Sequence, residues 1–128
     1  MTKFLVHTDG LFELIYPSDW HYKFLKSHIH QFQYEKGIGA FHLSLQDRDI
    51  RKKFNSITKS PDFKKIYFGA IEVYEKSIEQ YKNMATVIWL FNVHSNYFLA
   101  TYTYEASLKN TEKYNYEINT IKEILNSI

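Results

Sequence analysis

Residues 84–105 read MATVIWLFNVHSNYFLATYTYE, two apolar segments that face each other across His94-Ser95-Asn96-Tyr97. With Ser95-Asn96 as a two-residue hairpin loop, period-2 alternation puts Val87, Trp89, Phe91 and Val93 on one face with Phe98, Ala100, Tyr102 and Tyr104. Ile88, Leu90, Asn92, Leu99, Thr101 and Thr103 fall on the other face. That second face is too apolar to stand in water, so the pattern predicts a buried central strand pair with cover on both sides.

Downstream, Tyr114, Ile118, Ile121, Leu125 and Ile128 recur at helical spacing, with Ile124 widening the stripe and Asn110 or Thr111 available as cap. Upstream, Glu75 to Asn83 reads as a polar connection with room for a helical turn, and Ile66 to Tyr74 alternates as one strand. Ile50, Phe54 and Ile57 share one face of a short helix that stops before Pro61. His30 to Glu35 and Ile38 to Gln46 form a hairpin around Lys36-Gly37. Its core face carries Phe32, Tyr34, Phe41, Leu43 and Leu45, and its polar face Gln31, Gln33, His42 and Ser44. Tyr22 to Ile29 fits a short helix or an irregular connection.

At the start, Lys3 to His7 and Leu11 to Tyr16 flank Asp9-Gly10, a strong hairpin signal. A two-residue turn there sets Thr8 opposite Leu11 and Leu5 opposite Leu14, with Leu5, Phe12, Leu14 and Tyr16 on the core side. Pro17 ends the strand, and Ser18 or Asp19 caps a turn carrying Trp20. The sum is a single α+β domain over residues 1–128: an antiparallel β-sheet, the C-terminal helix packed on one face, and short helices elsewhere.

Composition agrees with one folded core. A chain of 128 residues buries roughly two-thirds of its unfolded surface. With 4 Gly and 2 Pro there is no linker, and no repeat interrupts the pattern. The 11 Tyr and 10 Phe supply core volume without disulfides. A net charge of +2 argues against nucleic acid or an acidic membrane as partner. Cysteine is absent, which removes thiolate catalysis and Cys-based zinc sites. No signal-peptide core follows Met1, and Val87 to Phe91 is far too short to span a bilayer, so the expected location is the cytoplasm.

Two short patterns add a resemblance. A hairpin leading into Phe12-Glu13-Leu14-Ile15-Tyr16-Pro17-Ser18-Asp19-Trp20 resembles the opening of PsbP-like domains. The last strand pair followed by a helix ending Ile124-Leu125-Asn126-Ser127-Ile128 is similar to many bacterial members. The likeness covers most of the chain in layout and these two patterns in residues. It implies a PsbP-like sandwich in a small bacterial family without assigned activity, and it carries no function of its own.

The candidate chemistry is sparse. His28-x-His30 has strand spacing for two metal ligands that His21 and His42 could join, yet the hairpin register turns His30 toward Phe32 and Tyr34 while His42 pairs with Gln31 on the opposite face. The ligands point apart, and no metal or cofactor is expected. Asp47 and Asp49 could hold a cation or act as an acid and base, but they fit better as caps for the helix at Ile50. Arg48, Arg51, Lys52, Lys53, Lys59, Lys64 and Lys65, with Phe54 and Phe63 between them, invite a nucleic-acid reading; a solvated helix face with two core anchors accounts for them as well. Tyr102, Tyr104, Tyr114 and Tyr116 read as core with hydroxyls at the rim.

No nucleophile triad, phosphate loop or His-Glu-x-x-His motif occurs. The leading expectation is a non-enzymatic module that binds a protein or small ligand. The alternatives are an immunity or accessory protein that neutralises a toxin, and an enzyme with its site near Trp20, His21 and Tyr22. Surface candidates are Trp20, His21, Tyr22, His28 and His30. A polar pocket with convergent titratable groups favours an enzyme, and an exposed apolar patch favours a partner.

Overall fold

The central hairpin forms as the alternation dictates, and the rest of the sheet grows outward from it. The computed structural model describes residues 3–8, 12–26, 29–46, 50–79 and 81–128. In chain order the described strands and α-helices are β1 (Lys3–Thr8), β2 (Phe12–Pro17), β3 (Trp20–Leu25), β4 (Ile29–Tyr34), β5 (Gly39–Gln46), α1 (Ile50–Ile57), β6 (Lys64–Phe68), β7 (Ile71–Glu79), β8 (Met84–Val93), β9 (Asn96–Glu105) and α2 (Glu112–Asn126), with short 3₁₀ turns at Tyr81–Asn83 and Ala106–Leu108. A seven-stranded antiparallel sheet runs in the order β3-β4-β5-β9-β8-β7-β6, and β1 pairs with β2 separately.

Val93 pairs with Asn96, so the tight turn is His94-Ser95, one residue earlier than expected. Both turn residues have positive φ, 51° and 66°, as a twist-matched two-residue turn requires. The slip leaves the faces intact. Moving the loop by one position shifts each pair by two residues, so Trp89 opposes Ala100 instead of Tyr102, on the same side of the pleat.

One face of the sheet is the core. Trp89, Phe91, Phe98, Ala100 and Tyr102 are buried there with Phe32, Phe41 and Leu43. The β1–β2 hairpin covers part of it, with Phe12 edge-on to Phe98 at 5.0 Å and Tyr16 to Phe32 at 5.2 Å. The helix α2 covers the rest through Ile118, Ile121, Ile124 and Leu125. Thr111 caps it by accepting from the Tyr114 N–H at 3.3 Å. Its far end is tied to β2, where the Ile15 N–H donates to Ser127 Oγ at 2.9 Å. On the opposite face lies α1, whose Phe54 ring meets Tyr74 at 5.8 Å and Tyr97 at 5.0 Å. Cover there is partial: Thr86 and Leu90 are buried, whereas Ile88, Leu99 and Thr101 stay half-exposed.

Three local expectations are corrected. Residues 22–25 are neither helix nor irregular: β3 pairs with β4 from Trp20↔Tyr34 to Leu25↔Ile29, as an edge strand whose outward His21 and Lys23 are exposed. Residues 66–74 are not one strand but a hairpin bent at Gly69-Ala70, and β7 runs on to Glu79 through what reads as a polar connection. Gly69 has φ +61°, and a Cβ on it would run into the Asn126 side chain. The charged residues of β7 hid it: Glu75 faces inward to accept a hydrogen bond from Trp89 Nε1 at 2.8 Å, and Lys76 lies over the Phe63 ring at 5.7 Å. In the first hairpin Val6, not Leu5, stands opposite Leu14, and Thr8 pairs with Phe12 rather than Leu11. Asp9-Gly10 lies outside the described residues.

The β7–β8 connection carries Lys82 at φ 62°, ψ 44°, a left-handed conformation costly for a side chain with a Cβ. Lys82→Gly is expected to raise the free energy of unfolding by about 1 kcal/mol, the size of that penalty less the entropy glycine adds to the unfolded chain. Urea denaturation reads it; an unchanged or lower midpoint contradicts the assignment.

Candidate functional site

The sequence candidates do not assemble. Trp20 is only 3% exposed, packed at the start of β3 beside Tyr34 with ring centroids 5.9 Å apart, and its Nε1 is buried without a hydrogen-bond partner. His30 is likewise 3% exposed. Both are therefore core rather than surface residues, because the even positions of β3 and of β4 share one side, as the pairs Trp20↔Tyr34, Tyr22↔Phe32 and Phe24↔His30 show. The Tyr22 hydroxyl and His30 Nδ1 lie 2.7 Å apart, and the two rings stack at 5.8 Å. Burial and then Tyr16 push the Tyr22 phenol above its ordinary value. His21 projects from the opposite face into solvent. His28, Asp47, Arg48 and Asp49 lie outside the described residues.

His42 also stands apart, on the outward face, with Nε2 3.0 Å from Gln31 Oε1. Burial holds its imidazole below the usual histidine range. Among the described residues no group of three or more His, Asp or Glu is placed to hold a metal ion. Phe54 and Phe63, the aromatic residues of the basic stretch, are engaged by Tyr74, Tyr97 and Lys76, so neither is free to stack on a base.

A concave feature lies elsewhere on the outward face, where α1 passes the tip of the β8–β9 hairpin. A cleft of about 360 Å³ is lined by Arg51, Asn92, Ser95 and Tyr97. The last three come from one rigid hairpin: Asn92 and Tyr97 face each other in register, and Ser95 sits in the turn. The Phe54 ring braces the Tyr97 ring at 5.0 Å. Among the described residues, none of the four lining side chains makes a hydrogen bond or ion pair within the protein. These four residues bring a guanidinium, an amide and two hydroxyls to the cleft, with no acid–base pair among the four.

Of the four, sequence reasoning singled out only Arg51, within the basic stretch. The available signal was the polar Asn92 interrupting an apolar outward row, two residues before a turn, together with the scarcity of arginine, present only at positions 48 and 51. A shallower recess of about 190 Å³, lined by Leu25, Ile29, His42, Ser44, Leu99 and Thr101, lies over β3, β4, β5 and β9 on the same face.

The most heavily committed polar side chain serves the fold. Glu117 of α2 is fully buried and accepts from the Ile38 N–H at 3.0 Å, the Gly39 N–H at 3.2 Å and the Tyr102 hydroxyl at 3.2 Å. Burial first, then Glu117, raises the Tyr102 phenol. Burial first, then the neighbouring Tyr104, push Tyr114 up to about 12. A phenol with a higher pKa folded than unfolded keeps its proton longer in the native state. Its contribution to stability is complete below about pH 10 and is lost as pH rises toward the folded value. Unfolding midpoints are expected to be insensitive to this pair at neutral pH and to fall above about pH 10, with part of the phenolate absorbance appearing only on unfolding. Complete phenolate formation in the folded protein at that pH contradicts the burial.

No protein-family model matches the chain, and none of the curated proteins matches it. A crystal structure of a protein from Bacteroides thetaiotaomicron VPI-5482 has a similar fold, with a TM-score of 0.71 and 15% sequence identity, over 98% of this chain and 46% of that one. The chain thus spans about half the length of that structure. At this identity the likeness shows the α+β fold alone. Among the described residues no helix is long and apolar enough to cross a membrane.

Proposed function

We propose that this protein is a non-enzymatic binding module that takes a small ligand in the cleft between α1 and the β8–β9 hairpin. The observation that carries the reading is the lining: among the described residues, four polar side chains with unused hydrogen-bonding capacity around about 360 Å³, and no acid–base pair among the four. Three of the histidines are spread apart, with His30 in the core, His21 in solvent and His42 bonded to Gln31. A volume of this size falls at the lower end of small-molecule sites.

Kinship with PsbP-like domains is part of the same proposal. It is supported by the Tyr16-Pro17-Ser18-Asp19-Trp20 lead-in, where Trp20 anchors the handover from the first hairpin to the main sheet, and by the final strand pair feeding α2.

The test is an amide-correlation NMR titration of the intact protein with a mixed panel of neutral and charged metabolites. Binding is expected to shift the signals of residues 51 and 92–97 together, without turnover of the ligand. Shifts confined to other surfaces, or conversion of a panel compound, overturn the reading.

A further inference from the structure

We infer that the cleft recognises its ligand through an oxyanion, a carboxylate or phosphate group carried on a hydroxylated body, with the charge on Arg51 and the neutral contacts made by Asn92, Ser95 and Tyr97. This rests on the small-ligand reading above and gives its chemical class.

Among the described residues the lining is donor-rich and contains no carboxylate. A guanidinium offers five N–H donors in a planar fork and no acceptor, and the Asn92 amide, Ser95 hydroxyl and Tyr97 hydroxyl can each donate as well. An acceptor-only, charged group is the natural complement to such a set, because it takes the fork bidentately and leaves no donor facing a donor. Asn92 Oδ1 and the two hydroxyl oxygens remain as acceptors, which suits hydroxyl groups on the ligand's body.

Local charge points the same way. Arg51, Lys52 and Lys53 are exposed on one turn of α1, and that first turn carries no acidic side chain. The size leaves room for more than a bare inorganic ion. About 360 Å³ has room for roughly a dozen waters at their liquid volume, so a ligand with about that many non-hydrogen atoms fits. Preorganisation is built in on one side, since Asn92, Ser95 and Tyr97 are held by the β8–β9 pairing and the Phe54 brace, leaving Arg51 as the long side chain to be ordered on binding.

The experiment is an NMR titration of the wild-type protein and variants with glycerol 3-phosphate, malate, inorganic phosphate and glycerol, each to about 10 mM. The first two separate a phosphate from a carboxylate source, and the last two separate charge from body. Expected is saturable binding of glycerol 3-phosphate or malate with shifts at residues 51 and 92–97, weaker binding of inorganic phosphate, and none of glycerol. Arg51→Ala should weaken the binding roughly tenfold or more, and Arg51→Lys should lose most of it because the fork is gone. Asn92→Ala and Tyr97→Phe should each weaken it measurably, while Lys52→Ala leaves it within about twofold. Arg51 and Lys52 are exposed, so these variants test binding in a folded protein.

Glycerol or another neutral compound binding at residues 92–97 while the anions do not would remove the oxyanion inference and leave the small-ligand reading standing. Anion binding that is equally sensitive to Lys52→Ala and Arg51→Ala would reduce the effect to a diffuse basic surface and overturn the inference. Failure of every anion to shift those signals overturns it too.

Discussion

Glu117→Ala is expected to lower the free energy of unfolding by about 4 kcal/mol, among the largest effects of any single substitution here. Glu117 is fully buried, and its two carboxyl oxygens are the acceptors for the backbone N–H groups of Ile38 and Gly39 and for the Tyr102 hydroxyl. Truncation strips three donors of their partner at once, and a buried unsatisfied donor costs about 1–3 kcal/mol. The connection approaches the carboxylate closely because two of its residues lack a side chain: a Cβ on Gly37 would lie 2.9 Å from Glu117 Oε1, and one on Gly39 would lie 2.6 Å from the Tyr102 ring. The β4–β5 connection is therefore built around this carboxyl group. Tyr102→Phe removes one donor and leaves the carboxyl its two backbone bonds, so its cost should be about 1 kcal/mol. Urea denaturation of the two variants reads the difference. A loss below about 1 kcal/mol for Glu117→Ala would mean that water reaches the Ile38 and Gly39 amides freely.

Trp89→Ala is expected to cost about 4 kcal/mol for a different reason, the removal of volume. The side chain is fully buried on the core face of β8, opposite Ala100, with the Phe68 ring edge-on at 6.0 Å. Its Nε1 donates to Glu75 Oε2 at 2.8 Å, so alanine also leaves that carboxylate without the bond. Trp89→Phe separates the two contributions. It keeps most of the ring volume and loses the hydrogen bond, and should cost about 1–2 kcal/mol. Equilibrium unfolding followed by circular dichroism measures both variants. Equal losses for phenylalanine and alanine would place the whole effect in the Glu75 contact rather than in packing.

How far the fold was legible depends on whether one face of an element is buried and regular. Residues 84–105 and the stripe from Tyr114 to Leu125 are read correctly because each has a long run of large apolar side chains at a single period. The hairpin of β4 and β5 is read correctly, down to Gln31 opposite His42, for the same reason. Edge and near-edge strands fail this test. β3 and β7 carry exposed His21, Lys23, Glu72 and Glu79, and Lys76 half-buried over the Phe63 ring, among their apolar residues, so their alternation is diluted by charge. The turn falls at His94-Ser95, one residue before the expected Ser95-Asn96, because the pair lacks the Asn-Gly or Asp-Gly signal of a two-residue hairpin turn; the strand register imposes that conformation.

The candidate cleft was beyond the sequence for a related reason. Arg51 and Asn92 are 41 positions apart and become neighbours only when α1 folds back over the outward face and Phe54 seats between Tyr74 and Tyr97. Glu117 is the same kind of case. It stands three residues after Tyr114 and four before Ile121, a charged side chain on the apolar side of the helix, and only the approach of Gly37, Ile38 and Gly39 from the β4–β5 connection supplies the donors that make it the helix's central polar anchor.

By itself the chain of residues determined the class of the fold, the faces of its central strands and the buried stripe of α2, since these follow from side-chain periodicity, which is local and survives a slip of register. Tertiary structure decided which polar groups are consumed inside and which are left open. Trp20 and His30 go to the core, Glu117 goes to three donors, and Arg51, Asn92, Ser95 and Tyr97 are brought around one space. Those outcomes depend on contacts between residues far apart in sequence, and a periodic pattern carries no information about which distant element will arrive.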